Sequence, residues 1–265
     1  MRHRSTHVRV ASFNIKVATE TALAHVSRDL CQLGADLCAL QEVGAHWSMG
    51  PQLNQLAHLA AAQGHQATAW LPLLERSWSE DPYQGGPFRF RNLSSHNALK
   101  PHAGHFGIGL SAHGQFSHLR RYYLSQASDE QRGVLRVRWL HPHAPDRSLT
   151  VLCTHLSFKP QERRSQIEEL IQLSGSISGP ALLLGDFNDD PDSESLTRLY
   201  TAGWRDLYQQ STSGTSHQPR WTFSAQSPHR CLDYILGRGV TCTDAGIARD
   251  VYSSDHFPIW ADLTW

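Results

Sequence analysis

The sequence predicts an α/β domain of mixed strands with helices packed outside the sheet, and three observations predict it. Short apolar runs of strand-like pattern recur along the chain, and segments with apolar residues at helical spacing alternate with them. Residues able to do chemistry stand at the ends of the strand-like runs, from residue 12 to residue 256. Cutting the chain would leave each half with part of that set, so the 265 residues (1–265) read as one domain.

The first run, Val8-Arg9-Val10-Ala11-Ser12-Phe13, ends at Asn14. Leu23, Val26, Leu30 and Leu33 then recur at helical spacing, and Gly34 stops that helix. Leu37-Cys38-Ala39-Leu40-Gln41 ends at Glu42, and Leu53, Leu56, Leu59 and Ala60 mark a second helix. Further strands are predicted at Ala67–Leu73, His105–Ser111, Gly133–Leu140, Ser148–His155, Ala181–Asp186, Cys231–Leu236 and Ile259–Leu263. Ile167, Leu170 and Ile171 stripe a third helix, with Glu162, Arg163 and Arg164 in its first turns; Leu196 and Leu199 mark a fourth, ended by Gly203. The stretch from Glu75 to Gly104 (about 75–104) is the least regular and is expected to be a loop. It interleaves aromatic with basic residues, and Trp78, Tyr83, Arg89 and Arg91 are its candidate substrate contacts. The same composition also suits a lipid-facing segment or an ordinary Ω-loop.

Composition narrows the class. Hydrophobic residues make up 40% and charged residues 18%, which is globular usage without a run long enough to span a bilayer. Five cysteines without paired spacing argue against a disulfide framework, and Cys38 and Cys153 lie inside apolar runs as reduced core residues. The first residues lack the apolar core of a signal peptide, so a cytoplasmic location is expected. Lys plus Arg equals Asp plus Glu at 24 each; any grip on nucleic acid would have to be a local basic groove. The 17 histidines show no zinc-site spacing and read as solvated loop residues.

Leu182-Leu183-Leu184-Gly185-Asp186-Phe187-Asn188 carries the most information. A buried strand ends in an acid and an amide two residues apart, which alternation points to one side. Two polar groups aimed at one buried spot are costly unless they bind something, and a metal-bound phosphate with an attacking water suits them. Alone, the segment is equally a capped strand end before an acidic turn.

Taken in order, Ser12-Phe13-Asn14, Leu40-Gln41-Glu42-Val43, Arg132-Gly133-Val134-Leu135, Thr154-His155-Leu156, Gly185-Asp186-Phe187-Asn188, Leu232-Asp233-Tyr234-Ile235 and Ser254-Asp255-His256 resemble the endonuclease/exonuclease/phosphatase superfamily. That group includes deoxyribonuclease I, abasic-site endonucleases, neutral sphingomyelinases and inositol-polyphosphate 5-phosphatases. The stretch from Thr154 to Gln166 is similar to a bacterial branch of metal-dependent phosphodiesterases. The resemblance implies a four-layer α/β/β/α sandwich with two facing mixed sheets, deoxyribonuclease I-like; periodicity does not reveal the second sheet. It also implies Mg²⁺ or Mn²⁺ on Glu42, with Asp255 as a further contact and Asn14 orienting the carboxylates. Asp186 would position and deprotonate the attacking water, with Asn188 fixing the water or a phosphate oxygen. His256, held by Asp233, would face the phosphate; His155 would donate to it and Arg132 would clamp it.

Departures narrow the substrate. Abasic-site endonucleases carry an acid where Lys16 stands and an asparagine where His155 stands. Deoxyribonuclease I supports its histidine with a glutamate, and no acid lies around Phe106–Ser111 to match it. The leading expectation is a metal-dependent nuclease on DNA or RNA. The alternatives are a phospholipid or phosphoinositide headgroup hydrolase, and a catalytically inactive binding module on the same scaffold.

Overall fold

A computed structural model describes residues 7–18, 20–47, 53–77, 90–100, 103–126, 130–211 and 219–265, whose apolar side chains separate into three packed layers. In chain order the elements are β1 (Val8–Asn14), α1 (Glu20–Leu33), β2 (Leu37–Ala45), α2 (Gln55–Gln63), β3 (Ala67–Ser77), β4 (Arg91–Asn92) and β5 (Ala103–Ala112). They continue with β6 (Gln115–Tyr123), β7 (Gly133–His141), β8 (Ala144–His155), α3 (Pro160–Gly175), β9 (Ala181–Asp186), α4 (Glu194–Thr201) and β10 (Arg205–Asp206). The last are α5 (Leu207–Gln210), β11 (Asp233–Arg238), β12 (Thr241–Ile247) and β13 (Ile259–Thr264).

One sheet of seven strands runs β12-β13-β1-β2-β5-β3-β4, and one of six runs β10-β11-β9-β8-β7-β6. Alternation gives each central strand two apolar faces. Val8 and Val10 of β1, Leu37 and Ala39 of β2, Val151 of β8 and Leu184 of β9 meet between the sheets. Ala11, Phe13, Cys38 and Leu40 face outward onto α1 and α2, while Leu152, Leu183, Tyr234 and Leu236 face α3 and α4. The result is helix, sheet, sheet, helix, the four layers that the resemblance implies.

The predicted helices and central strands form where periodicity puts them, and Gly34 ends α1 with φ 60°. β6 and β12 are not foreseen. Both are edge strands with half-exposed, polar sequences, so neither carries the apolar alternation that marks a buried strand. The stretch from Glu75 to Gly104 is strand at both ends, in β3 and β5, with β4 between them. Trp78, Tyr83 and Arg89 lie outside the described residues. Arg91 is engaged at the base of that stretch, where its Nη2 donates to buried Glu75 at 2.7 Å. Glu75 also accepts from the Lys100 amide at 2.8 Å, and His105 Nε2 stands 3.1 Å away. No helix among the described residues is long and apolar enough to cross a membrane.

Candidate active site

The inter-sheet faces turn polar at one edge. Continuing those faces two residues beyond their apolar positions reaches Asn14 by way of Ser12 on β1, Gln41 on β2, His155 on β8 and Asp186 on β9. On the antiparallel β11, Asp233 stands two residues before Ile235, again on the inter-sheet face. Register then aligns them: His155 pairs with Asp186 between β8 and β9, and Asp186 with Asp233 between β9 and β11. Gly185 makes this approach feasible. Its φ is 150°, and a Cβ there would stand 2.0 Å from the Thr154 carbonyl oxygen.

His256 reaches the row from the C-terminal loop. A β-bridge joins it to Phe223, whose ring centroid lies 4.9 Å from its own, and its Nδ1 is 2.9 Å from Asp233 Oδ2. Burial disfavours a charged ring, but the charge and hydrogen bond of Asp233 outweigh it and hold the His256 pKa at about 10. His256 is therefore an imidazolium at neutral pH. His155 is driven well below the usual histidine range, first by burial and then by the charges of Arg132 and His256, so it is neutral.

Asp186, 1% exposed, sits between these unlike rings, with His155 Nε2 at 3.4 Å and His256 Nε2 at 3.7 Å. Asn14 Nδ2 donates to its Oδ2 at 3.1 Å and the Asn188 amide to its Oδ1 at 2.8 Å. Burial, then the charge of Asp233, raises the Asp186 pKa, and His256 and these two donors oppose the rise. Such a carboxylate is suited to accepting a proton near neutral pH. Asn188 is left-handed, φ 53°, and its Nδ2 donates to the Leu156 carbonyl at 2.9 Å.

Glu42 arrives differently. Strict alternation puts it on the helix side with Cys38 and Leu40, but the β2–β5 register shifts between Leu40 and Val43, and Glu42 takes φ 55°. The bulge brings its Oε1 within 3.0 Å of Asn14 Nδ2. One amide thus joins Glu42 and Asp186. Asp255 is engaged by Lys16 Nζ at 2.6 Å and, with Glu42, lines a cavity of about 750 Å³ whose walls include Ile15, Val17, Trp47, Leu74 and Phe106. Arg132 is buried behind His155. Its Nη1 donates to His155 Nδ1 at 3.0 Å and its Nη2 lies 3.2 Å from Glu130, so it braces a histidine where the resemblance implies a phosphate clamp.

Ligand atoms of Asp186, Asp233 and His256 lie within 4.8 Å of one another and could together hold a metal ion. Asp233 Oδ1 is buried without a hydrogen-bond partner, and with Asp186 and Glu42 the edge is rich in carboxylate oxygen, which fits a hard divalent cation. Glu42 and Asp255 stand outside that three-residue group. Sequence reasoning missed Lys16 as the partner of Asp255, Glu130 beside Arg132, Phe223 against His256, and buried Arg163. From α3, Arg163 donates to Asp189 at 2.9 Å and to the Ser157 carbonyl at 2.9 Å, bracing the loops after His155 and Asn188. A charged first helical turn is the only trace Arg163 leaves in the sequence.

By sequence, no curated protein matches the chain. The fold is similar to that of the endonuclease/exonuclease/phosphatase from Beutenbergia cavernae, at TM-score 0.73 and 20% identity over 97% of this chain and 71% of that one. The human Nocturnin catalytic domain with bound sulfate matches at TM-score 0.71 and 18% identity, over 98% of this chain and 95% of that one. A mannosyl-6-phosphatase from Bacteroides thetaiotaomicron matches at 0.69 and 16%, over 97% and 100%. The family model described as Endonuclease/Exonuclease/phosphatase family matches residues 11–256, an interval that starts three residues before Asn14 and ends on His256. With that span and a buried Asp/Asp/His cluster at its sheet edge, the chain belongs to the endonuclease/exonuclease/phosphatase family and is one of its phosphoester hydrolases.

Proposed function

We propose that the chain is a divalent-metal-dependent phosphodiester hydrolase acting on nucleic acid. The observation that carries the chemistry is the Asn14 amide shared by Glu42 and Asp186, with the His256 cation facing Asp186. Asp186 would orient the attacking water and take its proton. His256 would offer a charged N–H to a phosphate oxygen, and Asn188 and His155 would hold water and phosphate in line. Glu42, with Asp255 once parted from Lys16, would hold Mg²⁺ or Mn²⁺. We assign the cation there because Glu42 stands on the cavity wall and the charged His256 ring offers no lone pair to a cation. Bound, such a cation supplies Lewis-acid stabilisation of the phosphate and its leaving oxygen.

Exposed aromatic residues favour nucleic acid. Phe158 is 59% exposed and follows His155 by three residues; Trp221, 40% exposed, precedes Phe223 by two; Tyr252, 70% exposed, precedes His256 by four. Tyr252 lines the same cavity as Glu42 and Asp255, and an exposed ring there suits stacking against a base. A phospholipid or phosphoinositide headgroup is the second reading, favoured by the apolar walls of the cavity beside Glu42. The mannosyl-6-phosphatase neighbour adds a sugar phosphate to the substrates worth assaying.

A panel of DNA, RNA, sphingomyelin vesicles, inositol phosphates and mannose 6-phosphate, with Mg²⁺, Mn²⁺ or chelator, tests the proposal. Turnover of DNA or RNA that weakens with added salt and stops in chelator is expected. Turnover of sphingomyelin or inositol phosphates alone would replace it with the second reading.

A further inference from the structure

The imidazole of His155 is held from behind by a guanidinium. Arg132 precedes Gly133, which pairs with His155 between β7 and β8, and Arg132 is 4% exposed. Its backbone carbonyl accepts from the Leu124 amide at 2.9 Å and from Gln131 Nε2 at 2.7 Å, so the residue has little freedom to withdraw. Its Nη1 reaches His155 Nδ1 at 3.0 Å. No acidic residue occurs on β5.

A guanidinium has donors and no acceptor. His155 Nδ1 must therefore be the bare nitrogen, because a proton there would point at an N–H. The other ring nitrogen also has an amide nearby, since Asn188 Nδ2 lies 3.2 Å from Nε2. Both contacts cannot be hydrogen bonds to the ring, for a histidine accepting at both nitrogens would carry no proton at all. Arg132 has no way to become an acceptor, whereas Asn188 Nδ2 already has the Leu156 carbonyl at 2.9 Å. The ring proton thus resides on Nε2, and Asp186 Oδ2 stands 3.4 Å from it.

We propose that Arg132 is a positioning residue that locks His155 in the Nε2–H tautomer and so makes it a hydrogen-bond donor toward Asp186 and the substrate. A carboxylate behind the ring would do the opposite. It would hold a proton on Nδ1 and leave Nε2 as a bare base, the arrangement by which an acid orients a histidine in hydrolytic triads. Replacing that acid with an arginine converts a proton acceptor into a fixed donor. Only the kinetic consequence rests on the phosphodiesterase reading; the tautomer is a property of the free protein.

Ring-nitrogen NMR of ¹⁵N-histidine-labelled protein in chelator reads the tautomer, with the His155 signals assigned by their loss in H155Q. The wild-type protein should show protonated Nε2 and bare Nδ1. R132M should move the ring toward the other tautomer and lower kcat on bis(p-nitrophenyl) phosphate with Mg²⁺ by ~10–100-fold, the usual cost of losing an orienting partner, with KM changing far less. R132K, which keeps a donor, should recover most of the loss. A wild-type Nδ1–H ring would overturn the proposal, as would a folded R132M with unchanged ring pattern or unchanged kcat. Should R132M not fold, the wild-type ring pattern decides alone. Absence of wild-type turnover with either metal would defeat the phosphodiesterase reading, and the NMR result on Arg132 would stand apart from it.

Discussion

Asp186 and Glu42 share the two faces of one amide, Asn14 Nδ2, yet the chain holds them by opposite means. Asp186 belongs to a ladder: its strand pairs with β8 and β11, its neighbours His155 and Asp233 stand in register, and it is 1% exposed. Glu42 stands where the β2–β5 ladder breaks, at φ 55°, on the wall of an open cavity. Regular pairing fixes a side chain to the precision of the sheet and buries it, which raises the proton affinity that a general base uses. A bulge re-aims a side chain while leaving it half exposed, and a ligand for an exchangeable cation needs that access. On the proposed roles, the fold would divide proton handling and cation holding between its regular and irregular backbone.

That division fails or sharpens under four measurements. The largest effect is expected at the ladder: Asp186→Asn should lower kcat at least ~10²-fold, the scale for losing a general base, while the melting temperature is unchanged or higher. The second half follows because burial and Asp233 already disfavour the charge being removed. A folded variant with near-normal kcat would place proton transfer elsewhere. At the bulge, Glu42→Gln should act on the cation instead, raising the half-saturating Mg²⁺ concentration at least ~10-fold, the lower end of what even indirect metal partners contribute. Metal titration of activity would contradict the division if kcat fell and the Mg²⁺ midpoint did not move.

A smaller effect is expected from Lys16→Ala. It frees Asp255, whose carboxylate lies 2.6 Å from Lys16 Nζ, and with the lysine in solvent the pair is worth about 1 kcal/mol. Mg²⁺ affinity should rise by no more than ~5-fold; a fall on calorimetric titration would mean that Lys16, not Asp255, faces the ligand. The fourth effect is on stability in chelator, not on turnover or cation affinity. His256 has its folded pKa raised to about 10, so the Asp233–His256 pair contributes stability that is full below the ordinary histidine value and lost as pH rises through about 10. Asp233→Asn should flatten that decline, with a difference in melting shift of ~2–4 °C for each kcal/mol involved. Parallel pH profiles for the two proteins would show that the pair is uncharged.

Much of the site is legible in residue order, because an apolar strand that stops on a polar residue advertises itself. Asn14, His155 and Asp186 follow that pattern, whereas Asp233 reads as an acid inside an apolar run; the same two-residue step that buries Val10 and Leu184 carries Asn14 and Asp186 to one edge. β6 and β12 are silent because edge strands need no apolar face on both sides. The role of Arg132 is silent for another reason: an arginine before a strand looks the same whether it points at solvent, at phosphate or at a ring nitrogen. Its service to His155 exists only because β7 pairs with β8.

By itself, then, the order of residues determined the alternation of helices and central strands, the acid and amide at the end of β9, and the family to which the blocks belong. Those are local properties, set by side-chain period and by the few residue types that tolerate a buried polar end. Tertiary structure alone decided that a bulge turns Glu42 back toward Asn14 and that Lys16 engages Asp255. It also decided that an arginine stands behind His155. Each of these depends on which strand lies beside which, and pairing between segments distant in the chain is settled by the closure of the whole core, to which no single segment's pattern refers.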